Sequence, residues 1–453
     1  MAVPTTDALR QKATALHKAG KLAEALPLYI NVVERDPHDA QAWTNLGALF
    51  RASGQHRQAL RAQRRAAALG HQTPGLMNNL ANILGDLGHY DEAIGIRREL
   101  LKRSPGDVSQ KAMIGRALRS QGAYEQSIAY LREAVSAHPE DPELRLQLAM
   151  SLLANRDFAE GFALYDARWE TGDLTPPDLP FPRWSGEDLS GKVVLVKPEQ
   201  GFGDAVLFTR FLPLLKAQAA KVLYLSERPL ERLFAELEGG DWVGSQLAAD
   251  TRIDCYLTLM DLPKLGLGTV TDIPPPSRLY IPVDAAERAA SVTAPYQDAF
   301  KVGVVWSGST TYKGNAFRSF SHREFLPLSE LPDVQLFSLY KGPLAKDLHS
   351  DGSAAFILDV GSTDQDFADC AAKMRELDLV ITSDTATAHI AGSLGIPTWI
   401  VLHWDAFWFW QHEGEKTPWY PSARLFRQRT PLDWSGVFAE VRKALIQECE
   451  RRT

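Results

Sequence analysis

Cysteine is scarce in this chain of 453 residues: Cys255, Cys370 and Cys449 are the three present. They lie far apart and form no metal-type spacing, and an odd, low count suits a reducing compartment rather than a disulfide framework. Long apolar runs are missing too: none reaches the ~18–20 residues a helix needs to span a bilayer. The opening MAVPTTDALRQK has no basic-then-apolar signal pattern. Basic charge is not in excess, with 49 Lys and Arg against 56 Asp and Glu and a net charge of −7. That balance argues against a general nucleic-acid binder. These absences predict a soluble, cytoplasmic protein with no membrane span and no nucleic-acid partner. The content of 45% hydrophobic and 23% charged residues is ordinary for a globular protein, and the length suits two or three domains.

Residues 1–172 carry a period. Gly20, Gly54, Gly88 and Gly122 stand 34 residues apart. Pro37, Pro105 and Pro139 keep the same frame, with His71 in the vacant place, and Ala25, Ala59, Ala93, Ser127 and Gly161 supply small residues in another. Gly can turn between two helices, a small residue lets them approach, and Pro ends the second helix. Trp43, Leu46, Gly47 and Phe50 complete the pattern of a first helix. This period resembles the tetratricopeptide repeat, with four good repeats and a degraded fifth over Pro142–Thr171, where Arg156 replaces the turn Gly. Such an all-α solenoid offers a surface to an extended segment of another protein. Asn45 and Asn79 share one repeat position and resemble the asparagine ladder in the repeats of O-GlcNAc transferases. An amide both donates to and accepts from a main chain, so they are candidate peptide-binding residues. The alternatives are solvated side chains, contacts to a neighbouring helix, or an array that serves self-association.

A Pro-rich linker over 173–191 leads to a first α/β domain at 192–290. Lys192–Lys197, Lys221–Leu225 and Ile253–Leu259 read as strands, with helices expected at Ala205–Ala219 and Arg228–Glu238. This alternation predicts a doubly wound parallel sheet. Between the first strand and its helix lies Gly201-Phe202-Gly203-Asp204. This loop, with Gly203 in it, could cradle a phosphate, although Gly-x-Gly alone is a weak signal. Asp204 is either a general base at the sheet's ligand edge or a first-turn carboxylate stabilising the helix dipole.

A second α/β domain is expected at 300–433. Its first strand, Phe300–Trp306, exits into the loop Ser307–Phe320, where hydroxyls including Ser307 and the cations Lys313 and Arg318 suit a diphosphate. A solvated basic loop is the alternative. Lys341 stands at the exit of the next strand, Val334–Leu339. Asp364-Gln365-Asp366 matches an Asp-x-Asp metal pattern, but its place before the helix Phe367–Arg375 reads as a cap. Leu377–Leu402 then reads as strand, tight turn, helix, turn and strand. Ser383 and Asp384 are good N-caps, and Asp384, Thr385, Ala386 and Thr387 cover a helix start that favours an anion. His389 follows one turn along. The alternative is an ordinary α/β unit with a packed His. Trp404, Phe407, Trp408, Phe409, Trp410, Trp419 and Tyr420 either line a sugar or nucleotide pocket or pack between domains. The helix Phe438–Cys449, within a C-terminal segment 434–453, is expected to dock across the first α/β domain.

Two successive doubly wound domains resemble the GT-B architecture of glycosyltransferases. Gly203-Asp204 and the run Ser383–Gly395 resemble glycosyltransferase family 9, the heptosyltransferases, and Trp419–Gln428 resembles bacterial proteins in which tetratricopeptide repeats precede such a domain. Some of that group glycosylate flagellin. The resemblance implies a nucleotide-sugar donor and Asp204 as catalytic base. Asp384, Thr385 and Ala386 would form the donor-diphosphate turn, with His389 beside it and Lys313 and Arg318 neutralising the leaving group. Gly203, Ser307 and Lys341 complete the donor-side candidates. No metal and no cofactor are implied. Phe409 departs from the group, where relatives have Arg between two Trp residues, and this leaves the sugar open. The expected function is transfer of a sugar to Ser or Thr of a protein acceptor, flagellin being the one the resemblance suggests. The other readings are an enzyme acting on a glycan or lipid-linked acceptor and a non-catalytic repeat scaffold.

Overall fold

The computed structural model describes residues 5–199, 201–312 and 314–451. It divides into two compact units, Met1–Asn155 with Leu164–Asp173, and Arg156–Ala163 with Leu174–Thr453.

The first unit is a stack of helix pairs: α1 (Thr6–Lys18) with α2 (Leu22–Arg35), α3 (Ala40–Ala52) with α4 (His56–Ala68), α5 (Pro74–Asp86) with α6 (Tyr90–Arg103), and α7 (Val108–Ser120) with α8 (Tyr124–Ala137), followed by α9 (Pro142–Ala154). Each turn glycine takes a left-handed conformation, with φ of 73° at Gly20 and Gly54, 74° at Gly88 and 84° at Gly122. Only Gly does so without steric cost, which is why the period shows in this residue type. Arg156 holds the fifth turn at φ 69°, so the replacement keeps the conformation and accepts its strain. A second period is set by caps. Asp39, Thr73, Asp107 and Asp141 each accept a bond from the backbone N–H three residues on. These side chains satisfy one of the N–H groups a helix start leaves open.

The first unit closes at Asp173, beside the expected end of the array at 172, with one segment leaving it. After α9 the chain forms α10 (Phe158–Leu164), and residues 156–163 pack with the second unit. Phe158 meets the Trp408 and Trp419 rings at 6.1 and 6.2 Å. Large apolar rings there outweigh the repeat register.

The second unit holds two parallel sheets. The first comprises β1 (Val193–Lys197), β2 (Lys221–Leu225), β3 (Trp242–Gly244) and β4 (Cys255–Thr258), in the order β3-β2-β1-β4. Its helices are α11 (Phe202–Phe208), α12 (Leu212–Lys216) and α13 (Arg228–Glu231), and α14 (Val283–Thr293) follows the sheet. The expected long helix 205–219 is thus split and starts earlier, so Asp204 lies inside its first turn. Pro213 sits at the start of α12, where it fits a new helix but not the middle of an old one. The linker is not free of structure: Arg183 forms a parallel bridge to Tyr256 at the sheet edge.

The second sheet comprises β5 (Phe300–Val305), then, after α15 (Asn315–Arg318), β6 (Val334–Ser338). Next come α16 (Ala345–Ser350), β7 (Ile357–Asp359), α17 (Phe367–Arg375), β8 (Leu379–Ser383), α18 (Ala386–Ser393), β9 (Thr398–Leu402), β10 (Ala423–Arg427) and α19 (Trp434–Glu450). Its order is β10-β9-β8-β5-β6-β7, and every pairing is parallel. All of β8 and β9 is buried, as continuous apolar runs in a covered sheet require. Asp366 caps α17 by accepting from Ala368 and Asp369 N–H, which accounts for the Asp-x-Asp pattern. α19 docks on the second α/β lobe, not the first. Phe438 packs at 4.9 Å from Phe320 and 5.1 Å from Phe325. Among the described residues no helix is long and apolar enough to cross a membrane.

Candidate functional site

The carboxyl ends of two sheet-centre strands meet through their helices. β1 leads into α11 and β8 into α18, and α11 packs on α18. Gly203 permits this. A Cβ there would lie 2.9 Å from His389 Cδ2 and 3.5 Å from Ala386 Cα. Its absent side chain thus brings helix to helix rather than admitting a ligand.

Asp204 lies at this junction. Its Oδ2 accepts from Gly201 N–H at 3.2 Å. Burial pushes its carboxyl up to about 7, with the Asp384 and Glu199 carboxylates adding to the rise and Gly201 N–H and Arg318 opposing it. It borders a shallow recess, with essentially no enclosed volume, lined by Pro198, Glu199, Gly201, Ala205, Leu259 and Met260. Glu199 accepts from Thr258 Oγ1 at 2.7 Å. It was missed in the sequence, where nothing separates it from a surface carboxylate.

Across the junction, Asp384 does not cap α18. The helix begins at Ala386 with Thr385 as N-cap, and the Thr385 side chain makes no cap bond. Thr385 Oγ1 instead pairs with Thr387 Oγ1 at 2.6 Å. Asp384 accepts from the Trp410 indole N–H at 2.8 Å. Burial raises its carboxyl above the ordinary value, opposed by Arg318, Trp410 and His403. This carboxylate fastens an aromatic segment to the sheet. Its charge also disfavours an anion at that spot, so a donor diphosphate would have to contact the turn's backbone rather than this side chain.

Arg318 is the described cation that acts on both carboxylates. Its guanidinium stacks 4.7 Å from the Tyr312 ring and reaches Asn315 Oδ1 at 3.4 Å. Lys313 lies outside the described residues. Ser307 is 2% exposed and bonded to Ser319 and Asn315, so it holds the loop together instead of facing a ligand. Lys341 is exposed and its ammonium donates to the Asp364 carbonyl, apart from the Asp204–Arg318–Asp384 group. In the array, Asn45 accepts from Gln41 Nε2 at 3.0 Å and also bonds Tyr29, so part of its amide is spent internally. Asn79 is half-buried, with no partner among the described residues.

His389 is 3% exposed, stacked 5.4 Å from Trp410, and shares a 3.1 Å bond between Nδ1 and the Tyr420 hydroxyl. Burial, helped by Arg210 and Arg318, lowers it to about 3, so it is neutral at neutral pH. Arg210 was also missed. It is 2% exposed, donates to the Trp419 carbonyl at 2.9 Å and lies 4.8 Å from the Tyr420 ring. A lone cation within the apolar run Val206–Leu215 was the available signal. Trp408, Phe409, Trp410, Trp419 and Tyr420 are buried against one another, which makes them packing rather than an open sugar surface. Trp404 and Phe407 keep partial exposure. Among the described residues no group of three or more His, Cys, Asp and Glu is placed to hold a metal ion.

Comparison with known proteins gives these findings. Tetratricopeptide-repeat models match residues 10–75, 75–104 and 112–168, so the chain carries tetratricopeptide repeats. Protein FlbA of Caulobacter vibrioides is 28% identical over 447 residues, covering 90% of this chain and 73% of its own. The cytochrome c-type biogenesis protein CycH of Pseudomonas aeruginosa is 25% identical over 187 residues, 41% of this chain and 43% of its own. Among solved structures, YrrB, a tetratricopeptide-repeat protein with an unusual peptide-binding site, is 15% identical with a TM-score of 0.32 and covers 37% of this chain and 87% of its own. MamA of Desulfovibrio magneticus is 17% identical with a TM-score of 0.34, covering 37% and 97%.

Proposed function

We propose that this protein is a glycosyltransferase of GT-B type, working without a metal and with its repeats holding a protein acceptor. One observation carries the reading: a carboxyl raised to about 7, Asp204, stands in the first turn of α11, which packs on α18, and lies near enough to Arg318 for that charge to act on it. A general base works best with a pKa near the working pH. In the proposed step Asp204 takes the proton of an acceptor Ser or Thr hydroxyl, and the oxygen attacks the anomeric carbon of a nucleotide-sugar. The bond from that carbon to the phosphate oxygen breaks, and its electron pair leaves with the nucleotide. Arg318 and the N–H groups at the start of α18 stabilise the departing charge. His389, neutral and packed, positions the two helices rather than moving a proton.

Radiolabelled sugar transfer from a panel of nucleotide-sugars to a co-expressed flagellin tests this. Transfer by the parent protein that disappears in Asp204→Asn and falls in Arg318→Gln is expected, and undiminished transfer in both refutes it. A second reading, a binding protein whose α/β unit does not turn over, has support in the size of the recess. It encloses essentially no space, against the ~300–1,000 Å³ of small-molecule sites. Thermal shift separates the two, since a donor that binds the folded state raises the melting temperature.

A further inference from the structure

The exits of β5 and β9 flank that of β8, because Val305 pairs with Thr382 on one side and Val401 with Ser383 on the other. The two flanking loops meet across it: Phe317, next to Arg318 in α15, sets its ring edge-on at 5.9 Å from that of Trp404. His403 is the first residue after β9. Its Nδ1 accepts from Asp405 N–H at 3.2 Å. A ring nitrogen that accepts carries no proton, so in the neutral imidazole the hydrogen sits on Nε2. That N–H has no acceptor among the described residues, and the side chain is half-buried. Burial lowers the His403 pKa; the Asp405 and Asp384 carboxylates work against this and Arg318 reinforces it, so the ring is neutral at neutral pH.

Arg318 is in a similar state on the other side. Its Nε reaches Asn315 Oδ1, its face lies on the Tyr312 ring, and its terminal nitrogens have no acceptor among the described residues. Two donor side chains with N–H groups to spare thus flank a helix start whose N-cap side chain makes no bond. A half-buried donor is worth more to an anion than one in open water, where solvent screens it. We propose that His403 is a phosphate-binding residue: its Nε2–H donates to a phosphoryl oxygen of the sugar nucleotide, across the end of β8 from Arg318, with the Phe317–Trp404 contact holding the two loops together. This deepens the transferase reading and rests on it. The hydrogen bond strengthens as charge gathers on the departing phosphate. A multiply charged anion beside the ring also favours its protonated form, so binding draws a proton from solvent.

Titration calorimetry of the full chain with inorganic pyrophosphate tests it, because this probe requires no choice of sugar or base. His403→Asn keeps an oxygen that can accept from the Asp405 N–H two residues on, but its amide stops short of the Nε2 position. His403→Gln carries a donor farther out. The Asn variant is expected to bind pyrophosphate about tenfold more weakly, the scale of one charge-assisted hydrogen bond, and the Gln variant to recover part of that loss. Titrations at about pH 6 in buffers of different ionisation enthalpy should show the parent taking up more protons per pyrophosphate than either variant, a difference that a loop-holding role would not produce. Equal affinity of parent and His403→Asn, or equal proton uptake in parent and variants, would overturn the proposal and leave the transferase reading standing. No pyrophosphate binding by the parent would overturn both. Binding that depends on His403 in a protein that transfers no sugar would uphold the site and remove the transferase reading.

Discussion

Replacing Asp204 by Asn tests the junction without knowledge of any substrate. The Asn oxygen can still accept from Gly201 N–H, so the turn survives, while the titrating group is gone. In the unfolded chain the carboxyl ionises near 4, whereas in the folded protein it ionises at about 7. Between these values the folded state holds a proton that the unfolded state has released. Stability therefore falls as pH rises through that window, and the full penalty applies above 7. Moving a carboxyl from about 4 to about 7 corresponds to on the order of 4 kcal/mol, an upper bound. Between pH 5 and pH 8 the advantage of the Asp204→Asn variant over the parent should grow by roughly 2–3 kcal/mol. Calorimetry or denaturant titration at the two pH values reads this directly, as a gain of roughly 5 °C in the melting-temperature difference. An Asn variant whose advantage is the same at both values would refute the desolvated-carboxyl argument. The same variant should transfer no sugar, and a stabilised protein with intact transfer would show that the carboxylate is not the base.

Arg318→Gln removes the cation that opposes the rise at Asp204, so the acidic limb of the transfer–pH profile should move upward, measured as kcat/KM against pH. Gly203→Val would drive a branched side chain into the His389 ring and is expected to cost roughly 1–3 kcal/mol, read from denaturation midpoints. Arg156→Gly relieves a left-handed conformation at φ 69° and should stabilise the protein by about 1 kcal/mol, less the loss of its 3.2 Å bond to Gln411. Lys373→Met strands the buried Asp364 carboxyl, which pairs with it at 2.5 Å, and should destabilise by about 3–5 kcal/mol in the same assay.

The repeats were legible because their constraint is local. A turn that needs positive φ selects Gly every 34 residues, and even Arg156 betrays the same turn by its place in the frame. The strands were legible because full burial demands unbroken apolar runs, as in β8 and β9. The start of α18 was not, because the Asp384 carboxylate is claimed by Trp410, 26 positions downstream. No local rule for caps foresees such a partner. The aromatic run left two readings open for a related reason: density in sequence says nothing about whether rings face solvent or each other. The apolar face of α19 was readable, but the lobe that covers it was not. Bringing Asp204, Arg318 and Asp384 together takes the packing of α11 on α18, which no spacing encodes.

The way Phe158 and Phe162 pack beside Trp408 changes how this chain can be dissected. A cut after the last recognisable repeat would strip both rings from the indoles and leave an apolar wound on the remaining fragment. Its insolubility would then be mistaken for a requirement for the solenoid. Severing the backbone just ahead of Arg156 keeps those rings in place, but it carries Leu164–Asp173 away from the repeats and breaks the Arg145–Glu170 pair, so neither cut leaves both units whole.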